Sequence, residues 1–482
     1  MRVTATTDAP RNTAADTVAV GVFEDSDVAH DTSGGELQAL LESGEAKRSF
    51  KHLALARADG KRWLLVGLGS RDRFGAERAR VAAGVVVERG RELGTRELCW
   101  EVPHHVGDEV VAGLVEGTVL GAYRFDRYKE PPKEQPPSLD DLVVSAHDDV
   151  SSAVDAAAVV ADAVNAARDL QNAPSNDMTP TRLGERAQQL ASEVEGLSAE
   201  VQGRDGIEGL GMGLFAAVAR GSYAEPALIV LRYEGPDARG PLLGLVGKAV
   251  TFDSGGISLK PAPKMSEMKF DMSGGAAVIE AMGAIARLRL PVRIVAVVGA
   301  TENMPSGRSM RPGDIVRSKA GLFVEINNTD AEGRLVLGDC LAYAVEQGAE
   351  RLVNIATLTG AIITSLGSTY AGLFSSDDAW AQTVTDAGDA TGELLWRLPL
   401  HEEYADAIKG RYGDINNAPE ERKAGSIVAA EFLKRFTGDV PWAHLDIAGV
   451  AWNRGRSYAS QGGSGFGVRL FVELARAVAA DA

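Results

Sequence analysis

Short apolar runs alternate with longer segments of helical period along most of the chain. "TVAVGVF" (17–23), "HLALAR" (52–57) and "RWLLVGLG" (62–69) are brief and rich in Val and Leu, which predicts strands. Residues 74–94 and 108–123 carry the apolar spacing of helices. A further strand is expected at "DLVVSAH" (141–147), after "DRYKEPPKEQPPSLD" (126–140), whose four prolines remove backbone donors and predict an exposed loop. From 150 to 171 the Ala-rich pattern predicts one long helix, broken by "NAPSNDMTP" (172–180) with its two prolines and cap residues. The domain boundary is placed there, giving residues 1–172, connecting helix included, and residues 173–482.

Beyond the break the pattern predicts a helix at 181–194 and strands at "PALIVLRY" (226–233) and "LLGLVGKAV" (242–250). A helix at 275–288 leads to a strand at "VRIVAVVG" (292–299). Then follow a helix from near Gly333, a strand "RLVNIAT" (351–357), a helix near 426–436 and a terminal helix near 467–479. Strand alternating with helix predicts an α/β fold: a smaller N-terminal α/β domain, and a larger one with a mostly parallel, mixed sheet flanked by helices.

Composition narrows this reading. At 482 residues the chain exceeds one ordinary core, and 45% hydrophobic with 24% charged residues is a globular profile. No run of about 18 apolar residues predicts a membrane span. The polar N-terminus lacks the apolar stretch of a secretory signal. Two cysteines, Cys99 and Cys340, both in apolar stretches, fit reduced core thiols in a cytoplasmic protein. A formal charge of −17 argues against nucleic acid or an anionic membrane as partner.

Polar residues stand where buried strand ends would not want them. In "LVGKAVTFDSGGISLK" (245–260) Lys248 interrupts an apolar strand, and Asp253 and Lys260 follow. "SEMKFDMSGGAA" (266–277) holds Asp271, and "NNTDAEGRLVLGDCLAY" (327–343) holds Asp330 and Glu332. All three segments lie at strand C-termini or just before helices, the rim where ligands collect in open α/β sheets. Carboxylates cannot share a dry crevice without protonating or finding cations, and divalent metals with oxygen ligands would satisfy them. The competing explanation is ordinary salt bridging plus helix capping, the capping applying above all to Asp330 near a helix start. Arg334, a cation in the first turn of a helix, opposes the macrodipole. It either faces a bound anion or pairs with Asp330 or Glu332.

Other signatures fail. "HEEYA" (401–405) lacks the second His of a zincin, "GLVGKA" (244–249) lacks P-loop spacing, and "GGSGF" (462–466) ends in Phe instead of the Gly of a nucleophile elbow. No histidine lies between His147 and His401, His444 reads as a core histidine, and His104 and His105 fall in the first domain. Metal and carboxylate chemistry without a histidine base remains.

"NTDAEGRL" (328–335), "GKAVTFDSGGISLK" (247–260) and "MKFDMSGGAA" (268–277) closely resemble the leucyl (cytosol) aminopeptidase family, the first looking like its signature octapeptide. "ATLTGA" (356–361), "ARDLQNAPSNDMTP" (167–180) and "GSGFGVRL" (463–470) extend the likeness over the second domain. The first domain is similar in length and alternation to the family's variable N-terminal domain. Gly338 and Ser464 depart from the usual Ala and Thr without touching a proposed ligand.

The resemblance implies a leucyl aminopeptidase that hydrolyses the N-terminal bond of peptides with a free α-amine, preferring apolar first residues. Lys248, Asp253, Asp271, Asp330 and Glu332 would hold two divalent ions, Mn²⁺ or Zn²⁺, with Lys248 neutral as a ligand. Lys260 and Arg334 would be the catalytic pair, with bicarbonate on Arg334. Met268 and Thr357 would line the side-chain pocket, and Leu358 and Gly360 would grip the substrate backbone. A homohexamer is implied too. The alternatives are an accessory DNA-binding role on that scaffold and another two-metal hydrolase such as a phosphoesterase.

Overall fold

The structure, a computed structural model, describes all residues except 29, 30, 32, 132–137, 422, 460 and 482. The chain divides into two compact units, Met1–Asn165 with Gly455–Ser460, and Ala166–Arg454 with Gln461–Ala482. The expected loop at 126–140 contains no helix or strand in its described part, and residues 132–137 of it lie outside the described residues.

The first unit carries six strands: β1 (Arg2–Thr6), β2 (Thr17–Phe23), β3 (Leu53–Ala58), β4 (Lys61–Gly69), β5 (Glu97–Glu101) and β6 (Asp141–Ser145). Their order is β1-β6-β5-β2-β4-β3, parallel except for the β3–β4 hairpin. Helices Ala76–Leu93 and Asp108–Ala122 sit where the apolar spacing predicts them. Val18, Val20, Val22, Trp63 and Leu65 from β2 and β4 form the core of one sheet face. Strands β1 and β5 are absent from the sequence reading. β1 is a half-exposed edge of only five residues, and the three buried positions of β5 are bracketed by Glu97 and Glu101, so neither shows an apolar run.

The second unit holds an eight-stranded sheet. Its strands are β7 (Leu197–Gln202), β8 (Ala227–Glu234), β9 (Leu242–Asp253), β10 (Arg293–Asn303), β13 (Arg351–Ala356), β14 (Ala371–Ser375), β15 (Leu395–Arg397) and β17 (Trp442–Asp446). A separate three-stranded sheet joins β11 (Ile315–Arg317), β12 (Phe323–Glu325) and β16 (Ile415–Asn416). The large sheet runs β15-β14-β17-β13-β9-β10-β8-β7. Its central four strands, β17, β13, β9 and β10, are parallel, and the flanking pairs β10–β8, β7–β8 and β14–β17 are antiparallel. The sheet is thus mixed with a parallel centre, as the alternation implied. The helices Gly333–Glu346 and Gly425–Lys434 share one apolar core with β9, β10 and β17. The buried helix Ser273–Arg287 lies along β9 between β9 and β10 in the chain, completing the crossover. β9 is the centre of the sheet, with its successor β10 on one side and β13 on the other, so the chain reverses its direction of travel there.

Candidate metal centre

Four parallel strands end on the same rim, and the site is built there from some of their end residues, from Lys248 within β9 and from the segments that follow β9 and precede the helix Gly333–Glu346. β9 is buried almost throughout and carries Lys248 at its middle and Asp253 at its end. Side chains alternate along a strand, so Lys248 emerges on the face that meets the start of the helix Gly333–Glu346. There a Cβ on Gly333 would fall 2.5 Å from the Lys248 Cε and 2.6 Å from its Nζ. Only glycine leaves room for that ammonium. After Asp253 the chain turns sharply through Gly255 and Gly256, both at positive φ, the left-handed region where glycine is unstrained. The turn delivers Lys260 back to the rim.

Lys248 Nζ lies 2.7 Å from Asp271 Oδ2 and 3.0 Å from Glu332 Oε1. Lys260 Nζ lies 2.7 Å from Asp253 Oδ2 and 2.5 Å from Asp330 Oδ1. One carboxylate oxygen from each of Asp253, Asp330 and Glu332 falls within 4.8 Å of the others. Six of the expected residues therefore meet. Neither Asp330 nor Glu332 caps the helix: Glu332 occupies the N-cap position without a side-chain cap bond, so capping does not account for the acids.

The electrostatics describe a cluster with too much negative charge. Burial, then the neighbouring Asp253, raises the Glu332 carboxyl to about 8, with Asp271 adding to the push. Burial likewise raises Asp271 to about 6, and raises Asp330 above its ordinary range. For both lysines burial works downward but is outweighed, at Lys248 by Asp271, Glu332 and Asp253, at Lys260 by Asp253, Glu332 and Asp330. Four carboxylates against two ammoniums leave the centre net negative in a dry setting. Asp271 Oδ2 and Asp330 Oδ1 have ammoniums at ion-pair distance yet accept no directed hydrogen bond. This donor set, hard oxygens with unused lone pairs, fits divalent cations.

Arg334 is buried in the first turn of its helix. One Nη donates to the carbonyl of Asn417 at 2.7 Å, and Nε has no partner. Among the described residues no carboxylate forms an ion pair with it, so pairing with Asp330 or Glu332 does not explain its position. Burial lowers its guanidinium to about 10 against the pull of Glu332 and Asp446.

Several supporting groups escaped the sequence reading. Asn303, the last residue of β10, donates through Nδ2 to Asp253 Oδ1 (2.8 Å), the Thr329 carbonyl (3.0 Å) and Glu332 Oε2 (3.4 Å). Asp446, at the end of β17, accepts from the amides of Leu358 (3.1 Å) and Thr359 (3.4 Å) and the Thr359 hydroxyl (2.6 Å). It fixes the loop after β13. An acid inside the strand-like "WAHLDIAG" was the available signal. Thr357, expected to line a pocket, is buried, and its hydroxyl donates to Asp271 Oδ1 at 2.7 Å. Met268 is half-buried in the 3₁₀ segment Met265–Met272, Leu358 is half-buried, and Gly360 is exposed at the start of the helix Gly360–Leu366.

An acidic, partly lysine-neutralised centre on the rim of a mixed α/β sheet has the donor set of a metal-dependent enzyme. The comparisons give the family. The model of the cytosol aminopeptidase family catalytic domain matches residues 165–472, and that of the family's N-terminal domain matches residues 19–132. A probable cytosol aminopeptidase of Roseiflexus castenholzii is 43% identical over 99% of both chains, and one of Alkaliphilus metalliredigens is 39% identical over 97% of both. Among solved structures, the bottromycin maturation enzyme BotP in complex with Mn superposes with a TM-score of 0.88 at 36% identity, covering 97% of this chain and 100% of that one. A tomato leucine aminopeptidase variant superposes with a TM-score of 0.88 at 31% identity, covering 99% and 96%. The chain belongs to the cytosol aminopeptidase family. It is a peptidase, and its hydrolysis of peptides depends on metal. Among the described residues no helix is long and apolar enough to cross a membrane.

Proposed function

We propose that the chain is a cytoplasmic leucyl-type aminopeptidase that removes apolar first residues from peptides with a free α-amine, the chemistry residing in residues 173–482. The observation that carries this is the buried excess of carboxylate over ammonium at Asp253, Asp271, Asp330 and Glu332. Those four side chains and Lys248 would hold two divalent ions, Mn²⁺ or Zn²⁺. When bound, such a pair lowers the pKa of water toward neutrality and binds the substrate's amine and carbonyl. Manganese in the 36%-identical relative supports that metal.

The protein's own groups have separate tasks. Asn303 orients Asp253 and Glu332, and Thr357 orients Asp271, the supporting bonds that fix ligand geometry. Lys248 is a counter-ion to Asp271 and Glu332 by its own charge. It becomes a neutral ligand only where cations take over those carboxylates. Lys260, raised and partly solvent-facing, stays ammonium and stabilises the oxyanion that develops on the substrate carbonyl. Arg334, whose Nε has no partner and which pairs with no carboxylate among the described residues, would hold bicarbonate, a weak base that would supply general acid–base capacity beside the carboxylate centre. Asp446 presents the loop of Leu358 and Gly360 to the substrate backbone, and Met268 offers apolar surface to its first side chain.

The chain would assemble as a homohexamer. Exposed Ile315, Phe323 and Tyr412 on and beside the three-stranded sheet are apolar surface that self-association would cover. The deciding measurement is hydrolysis of leucyl-anilide after chelation, with Mn²⁺ and Zn²⁺ restored separately and phosphoesters tested alongside. Recovery with metal on the anilide alone is expected. Undiminished activity in the chelated, metal-free protein, or activity on phosphoesters only, would overturn the assignment.

A further inference from the structure

The six-stranded sheet has a reversal of its own. From β2 the chain passes by the β3 hairpin to β4 on one side, then crosses to β5 on the other. The C-terminal ends of parallel strands at such a reversal are where open α/β sheets collect ligands. A cavity of about 50 Å³ opens there, lined among others by Phe23, Ser26, Arg71, Glu101 and His104. On its rim the loops following β5 and β6 bring two imidazoles together. His104 Nε2 and His147 Nε2 are 3.4 Å apart, with ring centroids at 4.5 Å and planes inclined by 37°. His105 follows, its ring centroid 6.2 Å from that of His104.

That separation has a chemical meaning. Two imidazole nitrogens bound to one tetrahedral ion at about 2.0–2.1 Å each lie about 3.3–3.4 Å from one another. The loops bearing them are braced. The Val102 amide donates to the Ser145 carbonyl at 2.8 Å, and the Ala146 amide to the Thr6 carbonyl at 3.0 Å. Arg71 donates to the His104 carbonyl at 2.9 Å while its guanidinium lies 4.0 Å over the Phe23 ring. His147 is exposed and His104 half-buried, so an ion would arrive from solvent and keep water ligands.

We propose that His104 and His147 form a metal site in the N-terminal unit, separate from the carboxylate centre, that takes a late divalent transition ion. Imidazole suits Cu²⁺, Ni²⁺ and Zn²⁺, whereas the oxygen-rich centre suits harder ions. The 3.4 Å spacing is the tetrahedral one that Zn²⁺ takes without distortion, whereas Cu²⁺ and Ni²⁺ favour tetragonal sites and serve here as spectroscopic and calorimetric probes. A bound ion clips the loop after β5 to the loop after β6.

The test uses the full chain saturated with Mn²⁺ and titrated near neutral pH with Cu²⁺ or Ni²⁺, followed by calorimetry and, for copper, by electron paramagnetic resonance. One further equivalent per chain is expected, with nitrogen hyperfine structure from two imidazoles. His104→Gln and His147→Gln should each weaken it about 10-fold or more while Mn²⁺-supported peptidase activity is unchanged. In Asp330→Ala, whose carboxylate centre is impaired, the nitrogen signal should persist, which separates this site from the reading of the active centre. Equal copper affinity in the wild type and both histidine variants, or a spectrum without nitrogen coupling, would overturn the proposal.

Discussion

In the N-terminal unit the buried guanidinium of Arg80 meets Glu116 at 2.5 Å and reaches Glu77 at 3.4 Å, whereas in the second unit the buried guanidinium of Arg334 meets, among the described residues, only a backbone carbonyl. The carboxylates differ in the same way. Glu116 has its arginine, but Asp253, Asp271, Asp330 and Glu332 share two lysines among four. Elsewhere in the second unit Glu280 pairs with Arg186 at 2.7 Å and Glu393 with Arg469 at 3.5 Å, while the buried Asp339 and Asp446 are each held by a set of directed amide or hydroxyl donors. A closed pair cancels its own field and holds helices together. An open excess is stable only with something to bind, and the contrast separates scaffold from site without reference to any relative.

Breaking the two kinds of charge should give different losses. Asp330→Ala or Glu332→Ala should abolish peptidase activity and bound metal together, beyond the roughly 10–100-fold that losing a merely supporting partner costs. Metal analysis beside a rate assay reads this, and full activity in either variant would refute the role of the cluster. Glu116→Ala, by contrast, should cost about 1–3 kcal/mol in unfolding because it removes the nearer of the two carboxylates of Arg80 and leaves only Glu77, while the metal content of the folded protein stays normal. Denaturant titration gives the answer, and a near-neutral effect would erase the contrast drawn above.

Smaller effects sharpen it. Lys260→Ala should lower kcat about 10²–10³-fold with metal retained. If metal is lost instead, Lys260 acts as a counter-ion rather than on the oxyanion. Asn303→Ala should weaken metal binding or turnover about 10–100-fold through misplaced Asp253 and Glu332.

The smallest effect concerns pH. His444 is buried and lowered to about 3 by burial and then by Arg334, so it stays neutral when folded and protonates when unfolded. The unfolded chain therefore binds the extra proton, and stability falls as pH drops below the ordinary histidine value. The Trp442 indole donates to Asn354 Oδ1 at 2.8 Å, which turns Asn354 Nδ2 toward His444 Nδ1 and leaves the ring proton on Nε2. His444→Gln should flatten the loss of stability between neutral and mildly acidic pH, measured by melting at each pH. An unchanged slope would show that the carboxylates dominate that range.

How much of this was legible before folding differs by element. Long apolar runs such as β9 and β10 announce themselves, and so do the helices that follow Pro180 and Gly333. β7, β14 and β15, with the helix Asp378–Thr391, did not. β7 and β15 are edge strands of partly exposed residues, and β14 is only five residues long. In the site, Lys248, Asp253, Asp271, Asp330 and Glu332 stood out because charge interrupts apolar pattern locally. Asn303 did not, and Thr357 entered only through the family likeness as a pocket residue, since neutral polar residues at strand ends are common and only their partners, 50 and 86 residues away, give them their task at the carboxylates.

The sequence by itself determined which ionisable groups the chain owns, where apolar periods begin and end, and, through its motifs, the family. These are properties of neighbours along the chain, written at periods of two and 3.6 residues. Tertiary structure decided which lysine faces which carboxylate, that Arg334 is left without one, and that His104 and His147 meet across 43 positions. Those pairings are set by strand order and by the crossovers that carry each strand to its place, and no local pattern records them.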